Sequence, residues 1–263
     1  MGRVKTVVVL GMHRSGTSLI AGILQKLGVD MGKKQLGPHF SNPLGHFENI
    51  DFIKMDDKIL AHAGGEWDNP PSIKKIEKLN SEKLKQKIRK TISKNQNTLW
   101  GWKVPTTSLT ILHYMPYLKN PYFILCERDE QKIIDSFVNR DGLSEKRVKK
   151  MTKVYNKALQ HFLLNNKYPV LHLKYEELIR NPGKEIGKIS GFLGIPENKK
   201  KIDDAKRLIL PKDELNRLKE KIRKKEILLL IKDTLRFPYL ARRYFLRALR
   251  KPLYTLKKLG IKK

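Results

Sequence analysis

At 263 residues and 40% hydrophobic content, the chain is long enough for one large domain with a buried core, or for two small ones. Its 56 Lys and Arg against 26 Asp and Glu leave a net charge of +30, which favours anionic partners: nucleotides, sulfated or carboxylated glycans, nucleic acid or a lipid surface. The single cysteine, Cys126, excludes an internal disulfide and favours a reducing, cytoplasmic setting; apolar runs such as 6–10 and 227–231 are too short for a signal-peptide core or a membrane span. Residues 4–10 are β-branched and almost continuously apolar, which predicts a strand buried on both faces. The opening Met1-Gly2-Arg3-Val4-Lys5-Thr6 matches a myristoylation pattern in form only, because Thr6 reads as part of that strand.

A glycine turn at 11–16 follows, and 17–27 then places apolar residues at 19, 20, 23, 24 and 27 on one helical face until Gly28 stops it. Residues 81–93 predict a charged helix with a thin apolar seam. Further strands are expected at 98–104 (ended by Pro105), 122–127 and 169–174, with helices at 130–139, at 144–165 and from Asn181-Pro182 onward. Strands separated by helices predict an α/β fold with a parallel central sheet flanked by helices. At residue 198 the character changes. Residues 1–198 read as the α/β domain and 199–263 as a basic helical C-terminal extension, with 23 basic and 7 acidic residues.

The first turn reads as a phosphate cradle. Gly11-Met12-His13-Arg14-Ser15-Gly16-Thr17-Ser18 lies between a strand and a helix, an arrangement that aims backbone N–H groups and a helix N-terminus at an anion. Gly11 and Gly16 have the spacing of the nucleotide-triphosphate loop Gly-x-x-x-x-Gly-Lys-Ser/Thr, but Thr17 stands in the lysine position and the cation has moved to Arg14. ATP or GTP hydrolysis is thereby disfavoured, and an ordinary strand–turn–helix is the plainer alternative. No His, Cys, Asp or Glu cluster has metal-ligand spacing, and no metal is expected. At the end of the third strand, Arg128 occupies the edge where open α/β sheets bind ligands, and Ser136, two helical turns on, is expected to set a hydroxyl beside its guanidinium. A surface pair of Arg128 with Glu127 or Asp129 is the alternative.

The segment His13-Arg14-Ser15-Gly16-Thr17-Ser18 resembles the loop that holds the 5′-phosphosulfate in sulfotransferases that use 3′-phosphoadenosine-5′-phosphosulfate (PAPS), most closely the bacterial and carbohydrate branch. Asn42-Pro43-Leu44-Gly45-His46-Phe47-Glu48-Asn49 and Trp67-Asp68-Asn69-Pro70 resemble that branch's acceptor-side segments. Trp100-Gly101-Trp102-Lys103-Val104-Pro105 resembles its Trp-Gly-Trp-Lys-Asp-Pro strand end, with Val104 in place of the aspartate. Arg128 with Ser136 resembles the 3′-phosphate site, and Lys174-Tyr175-Glu176-Glu177-Leu178 resembles the stretch after the last core strand. The matches span residues 4–196.

The resemblance implies a P-loop-like, three-layer fold and a sulfonyl transfer from PAPS, with PAP as product, to a hydroxyl or amine acceptor such as a saccharide, glycan or glycolipid. It implies a donor site of His13, Arg14, Ser15, Gly16, Thr17, Ser18, Arg128, Ser136 and Tyr175, and a catalytic set of Arg14, Glu48 and Lys103. Arg14 would stabilise the leaving phosphate, and Lys103 would contact the sulfonyl group or leaving oxygen. Glu48 would take the acceptor proton if a dry pocket raises its pKa, with His46 as the rival base. The competing functions are a P-loop-like kinase or NTPase, and a nucleic-acid-binding protein suggested by charge alone, which no nucleic-acid motif supports. The segment 236–258 mixes aromatics and leucines with Arg and Lys, and no acid follows Asp233. It is expected either to contact an anionic membrane peripherally or to pack on the body.

Overall fold

From Thr6 to Leu10 no side chain retains exposed surface, which makes β1 (Lys5–Leu10) the innermost strand of the protein. The computed structural model describes residues 4–39 and 42–236, with the side chains of 212 and 226–236 excepted. Its elements run β1, α1 (Thr17–Leu27), α2 (Ile50–His62), α3 (Ile73–Glu77), α4 (Glu82–Asn95), β2 (Leu99–Lys103) and α5 (Thr107–Tyr114). There follow β3 (Pro121–Glu127), α6 (Glu130–Asp141), α7 (Glu145–Asn165), β4 (Val170–Lys174), α8 (Tyr175–Arg180), α9 (Pro182–Leu193), α10 (Lys199–Lys206) and α11 (Lys212–Arg236).

The strands form one parallel sheet in the order β2-β1-β3-β4. Strand alternation divides its side chains between two cores. Val8, Leu10, Trp100, Trp102, Phe123 and Leu125 join a cluster completed by α2 to α7. Val7, Val9, Ile124, Cys126 and Leu173 join another completed by α1, α8, α9 and α10. A sheet buried on both faces needs such continuously apolar strands, and the result is the expected α/β architecture of a parallel sheet between helical layers. Each large side chain so buried contributes about 1.5–3 kcal/mol relative to exposure. Gly101 is forced by close approach, since a Cβ there would lie 2.0 Å from the Val7 carbonyl oxygen.

Chain order places the site. From β1 the chain moves to β2 on one side and then crosses back to β3 on the other. The carboxyl ends of β1, β2 and β3 therefore open a crevice at a topological switch point, the usual ligand position in such sheets. Beyond residue 198, α10 packs on α1: Ala205 is wholly buried and Lys201 Nζ donates to the Leu27 carbonyl at 3.2 Å. Residues 237–263, which contain most of the expected basic aromatic segment, lie outside the described residues. No helix among the described residues is long and apolar enough to cross a membrane.

Candidate active site at the strand ends

The loop after β1 is held by its own backbone. Gly11 (φ 147°) and Gly16 (φ 102°) take conformations that side chains disfavour, and Arg14 adopts φ 71° despite its side chain. A Cβ at Gly11 would meet the Cys126 carbonyl oxygen at 2.7 Å, and one at Gly16 would strike the Tyr175 ring at 2.3 Å. The Ser15 amide and hydroxyl both donate to the Met12 carbonyl, at 3.1 and 2.7 Å, and the Gly11 amide donates to Ser108 Oγ at 2.9 Å. The Ser15 hydroxyl is thus committed inside the loop rather than offered to a ligand. Helix α1 starts at Thr17 with Gly16 as its cap and no capping side chain; the Leu19 and Ile20 amides donate to the Gly16 carbonyl, which leaves the Thr17 and Ser18 amides with capacity for an anion.

Three cations from three segments converge there. Arg14 Nε donates to Ser136 Oγ at 2.8 Å, and Arg128 Nη1 donates to the Arg14 carbonyl at 2.7 Å. Lys103, at the end of β2 and with no exposed surface, donates to Ser18 Oγ at 3.1 Å and to Glu48 Oε1 at 2.8 Å. Burial, with the neighbouring Arg140 and Arg128 cations, draws the Arg14 guanidinium down to about 10. A cation crowded by cations in a sheltered site gains by receiving an anion. Arg128 also lies over the Tyr175 ring, 4.6 Å from its centroid, and its Nε is buried without a hydrogen-bond partner, 4.0 Å from the Glu176 carboxylate.

Two expectations change. The Ser136 hydroxyl takes its hydrogen bond from Arg14 rather than from Arg128, while Arg128 donates to the Arg14 carbonyl, so the two meet through Arg14. Arg128 pairs with neither Glu127, which binds His172, nor Asp129, which caps α6. Glu48 is not raised toward neutrality either. Burial does push its carboxyl up, but the Lys103 ammonium beside it, with His13 and His46, holds it below the usual carboxylate range. Lys103 itself is drawn down by burial against the pull of Glu48, whose carboxylate beside it favours the charged ammonium. His46 lies 4.0 Å from Glu48 and burial lowers it, so its imidazole is neutral at pH 7.

Glu48 is delivered by the start of α2. Asn49 caps that helix, its Oδ1 accepting the Asp51 amide at 3.0 Å while its Nδ2 donates to Asn95 Oδ1 at 3.0 Å. His13 is enclosed by Trp67 and Tyr155, with ring centroids 5.0 and 5.7 Å away, and burial drives its imidazole down to about 4. Its Nε2 is buried without a partner. Of the expected site, His13, Arg14, Ser18, Glu48, Lys103, Arg128, Ser136 and Tyr175 come together, Gly16 and Thr17 shaping the loop between them. Sequence reading missed Arg140, one helical turn after Ser136, and Tyr155, because neither carries a local motif; Trp67, from the segment that resembles an acceptor-side stretch, joins Tyr155 against His13. No group of three or more His, Cys, Asp or Glu among the described residues is arranged to hold a metal ion.

Residues 6–199 match the family model described as the sulfotransferase family. The chain belongs to that family. No curated protein sequence shows a significant match. Among solved structures it is similar to the sulfotransferase domain from the curacin biosynthetic pathway, at 16% identity over 77% of each chain with a TM-score of 0.50. It is also similar to a sulfotransferase from Mycobacterium avium (13% identity, 86% of this chain and 77% of that one, TM-score 0.48). A third is the sulfotransferase domain of the Synechococcus PCC 7002 olefin synthase (16%, 84% and 88%, TM-score 0.47). At such identities the likeness is one of fold. A sulfotransferase is a transferase of sulfonyl groups, and the crevice at the ends of β1, β2 and β3 is where its charged residues gather.

Proposed function

We propose that the protein transfers a sulfonyl group from PAPS to a hydroxyl or amine of a saccharide-type acceptor. The observation that carries this reading is the convergence of Arg14, Lys103 and Arg128 on a glycine loop that lacks the lysine of nucleotide-triphosphate cradles. The orphaned Arg128 Nε fits an anionic ligand at that edge, and its planar guanidinium suits a phosphate. Amides at the start of α1 with Arg14 and Ser18 hold the 5′-phosphate, and Arg128 with Tyr175 holds the other end of the nucleotide.

The transfer is an in-line displacement: the acceptor oxygen bonds to sulfur as the bond from sulfur to the bridging phosphate oxygen breaks. Charge gathers on that leaving oxygen, and Arg14 and Lys103 stabilise it. The acceptor proton passes to the Glu48 carboxylate, which is in its basic form at neutral pH, and His46 stands behind as the alternative base. The ten basic residues after Asp233 add a peripheral tether to anionic membranes from the cytoplasmic side, each contributing about 1 kcal/mol near such a surface.

Differential scanning fluorimetry with PAP is the test, since a ligand of the folded state alone raises its stability. PAP is expected to stabilise the wild type, and Arg14→Ala or Arg128→Ala to remove most of the effect, each losing on the order of 1.5–3 kcal/mol of binding. No shift with PAP alongside a large one with ATP and magnesium overturns the reading in favour of a kinase. For the tether, full-length protein is expected to sediment with anionic and not neutral liposomes, and to be released as salt is raised.

A further inference from the structure

Helix α2 buries Phe52, Met55, Ile59 and Leu60 along one face, and in the middle of that apolar stripe stands Asp56, with no exposed surface. A carboxylate there is costly unless its lone pairs are met. Four hydroxyls meet them. Oδ2 accepts from Thr106 at 3.1 Å and Thr107 at 2.7 Å; Oδ1 accepts from Thr110 at 2.6 Å and Tyr114 at 2.7 Å. All four belong to α5 or its cap, and an ionised carboxylate has acceptor room for each. None of these five side chains bonds to the loop, although Ser108 of the same α5 bonds Gly11, and the cluster takes no direct part in the chemistry.

Its connections lead to the site from two sides. Thr107 gives its hydrogen to Asp56, and its oxygen accepts from Trp102 Nε1 at 3.1 Å, one residue before Lys103. Phe52, one turn before Asp56 on α2, stacks on the Trp102 ring at 4.1 Å with planes 9° apart. The same helix begins at Asn49, directly after Glu48. One rigid helix therefore carries Glu48 at its head and, two turns on, grips the end of the strand that carries Lys103. Stacking alone lets two apolar surfaces slide; directional hydrogen bonds from a satisfied buried network set one register.

We infer that Asp56 is a positioning residue for the Glu48–Lys103 pair, acting through Thr107 and Trp102 to hold the carboxylate and the ammonium at bonding distance across 55 residues of chain. This rests on the sulfonyl-transfer reading for its effect on turnover only. The distance between the two groups is a property of the free protein and is read without substrate.

Carboxyl-resolved NMR of the full-length protein measures it, by following the titration of Glu48. Thr107→Val cuts the link between Asp56 and Trp102 and is expected to raise the Glu48 midpoint by on the order of one pH unit, as its counter-charge draws back. Thr107→Ser restores the hydroxyl and the wild-type midpoint. Thr110→Val removes an Asp56 donor that does not touch Trp102; it lowers the melting temperature comparably and leaves the Glu48 midpoint in place. Asp56→Asn behaves as Thr107→Val, which decides the matter alone if the Asn variant does not fold. A Glu48 midpoint unmoved in Thr107→Val, or moved equally in Thr110→Val, overturns the proposal and leaves a cluster that only stabilises the fold. With turnover measured from PAPS, Thr107→Val is expected to lower kcat at unchanged PAP affinity. Absence of PAPS turnover in the wild type counts against the transfer reading and not against the positioning.

Discussion

Lys103 and Arg128 stand at the ends of β2 and β3, on either side of the glycine loop, and the fold holds them in different ways. Lys103 has no exposed surface and is fixed by Glu48 and Ser18; the Arg128 side chain is 22% exposed, rests on the Tyr175 ring and braces the loop from its carbonyl side. The first is a charge placed in a sheltered pair, where removing either partner strands the other. The second is a planar cation at a solvent edge with one nitrogen still unsatisfied. A buried pair of opposite charges, set by packing, suits proton transfer and charge neutralisation at the reacting atoms. A partly exposed fork suits capture of an arriving phosphate. On the proposed reading, the difference separates chemistry from binding within one crevice.

Breaking the buried side of that comparison has the largest expected effect. Lys103→Met combines two losses. The Glu48 carboxyl is left in a sheltered site without its counter-charge, lowering stability by about 3 kcal/mol in chemical denaturation. Turnover falls by at least roughly 10³-fold, as the leaving oxygen loses a cation. Glu48→Gln keeps the shape and a hydrogen-bond acceptor for Lys103, but removes the negative charge that both takes the proton and balances the ammonium. It is expected to bind PAP as the wild type does, and to lose roughly 10²–10⁴-fold in kcat. Near wild-type turnover in that variant moves the base to His46.

His13, on the Lys103 side of the loop, tests burial through pH. Its imidazole titrates at about 4 in the folded chain and near 6.5 when unfolded, so the unfolded state takes up the proton first. Its contribution to stability is complete above pH 6.5 and is lost as pH falls toward 4. Denaturation curves of wild type and His13→Gln across that window are expected to converge by on the order of 3 kcal/mol in favour of the variant. Parallel pH dependences would show that the imidazole is not buried neutral.

Arg128→Lys probes the exposed side and has the smallest expected effect. It keeps the charge and loses the fork, so calorimetry should show PAP binding weakened by roughly tenfold, about 1.4 kcal/mol, with kcat little changed. A drop in kcat matching that of Glu48→Gln would erase the distinction between the two cations.

Much of the site was legible because its parts are contiguous. The run from Gly11 to Ser18 contains its own turn glycines, cation and helix start, so strand, loop and helix could be read together. The strand at 98–104 and the helix at 144–165 were found within a residue of their ends, since Pro105 stops the one and an amphipathic period marks the other. Helix α2 was not delimited, and neither was α5, whose Thr-rich face is a run of hydroxyls with meaning only opposite Asp56. Asp56 itself is invisible in one dimension: an Asp beside Asp57 reads as a solvated helix face.

The sequence by itself determined the strands, the glycine turn between β1 and α1 and the surplus of positive charge, because each depends on neighbours a few residues apart. Tertiary structure decided which charges meet. Parallel pairing of β2 with β1 brings Lys103 beside the loop, and α2 packed on Trp102 brings Glu48 within 2.8 Å of it. The packing of α6 gives the Ser136 hydroxyl its hydrogen bond from Arg14 rather than from Arg128. Those meetings also set the proton affinities. A carboxyl and an imidazole have ordinary affinities in an open chain, and only burial beside a particular partner moves Glu48 and His13 down and Asp56 up to about 6.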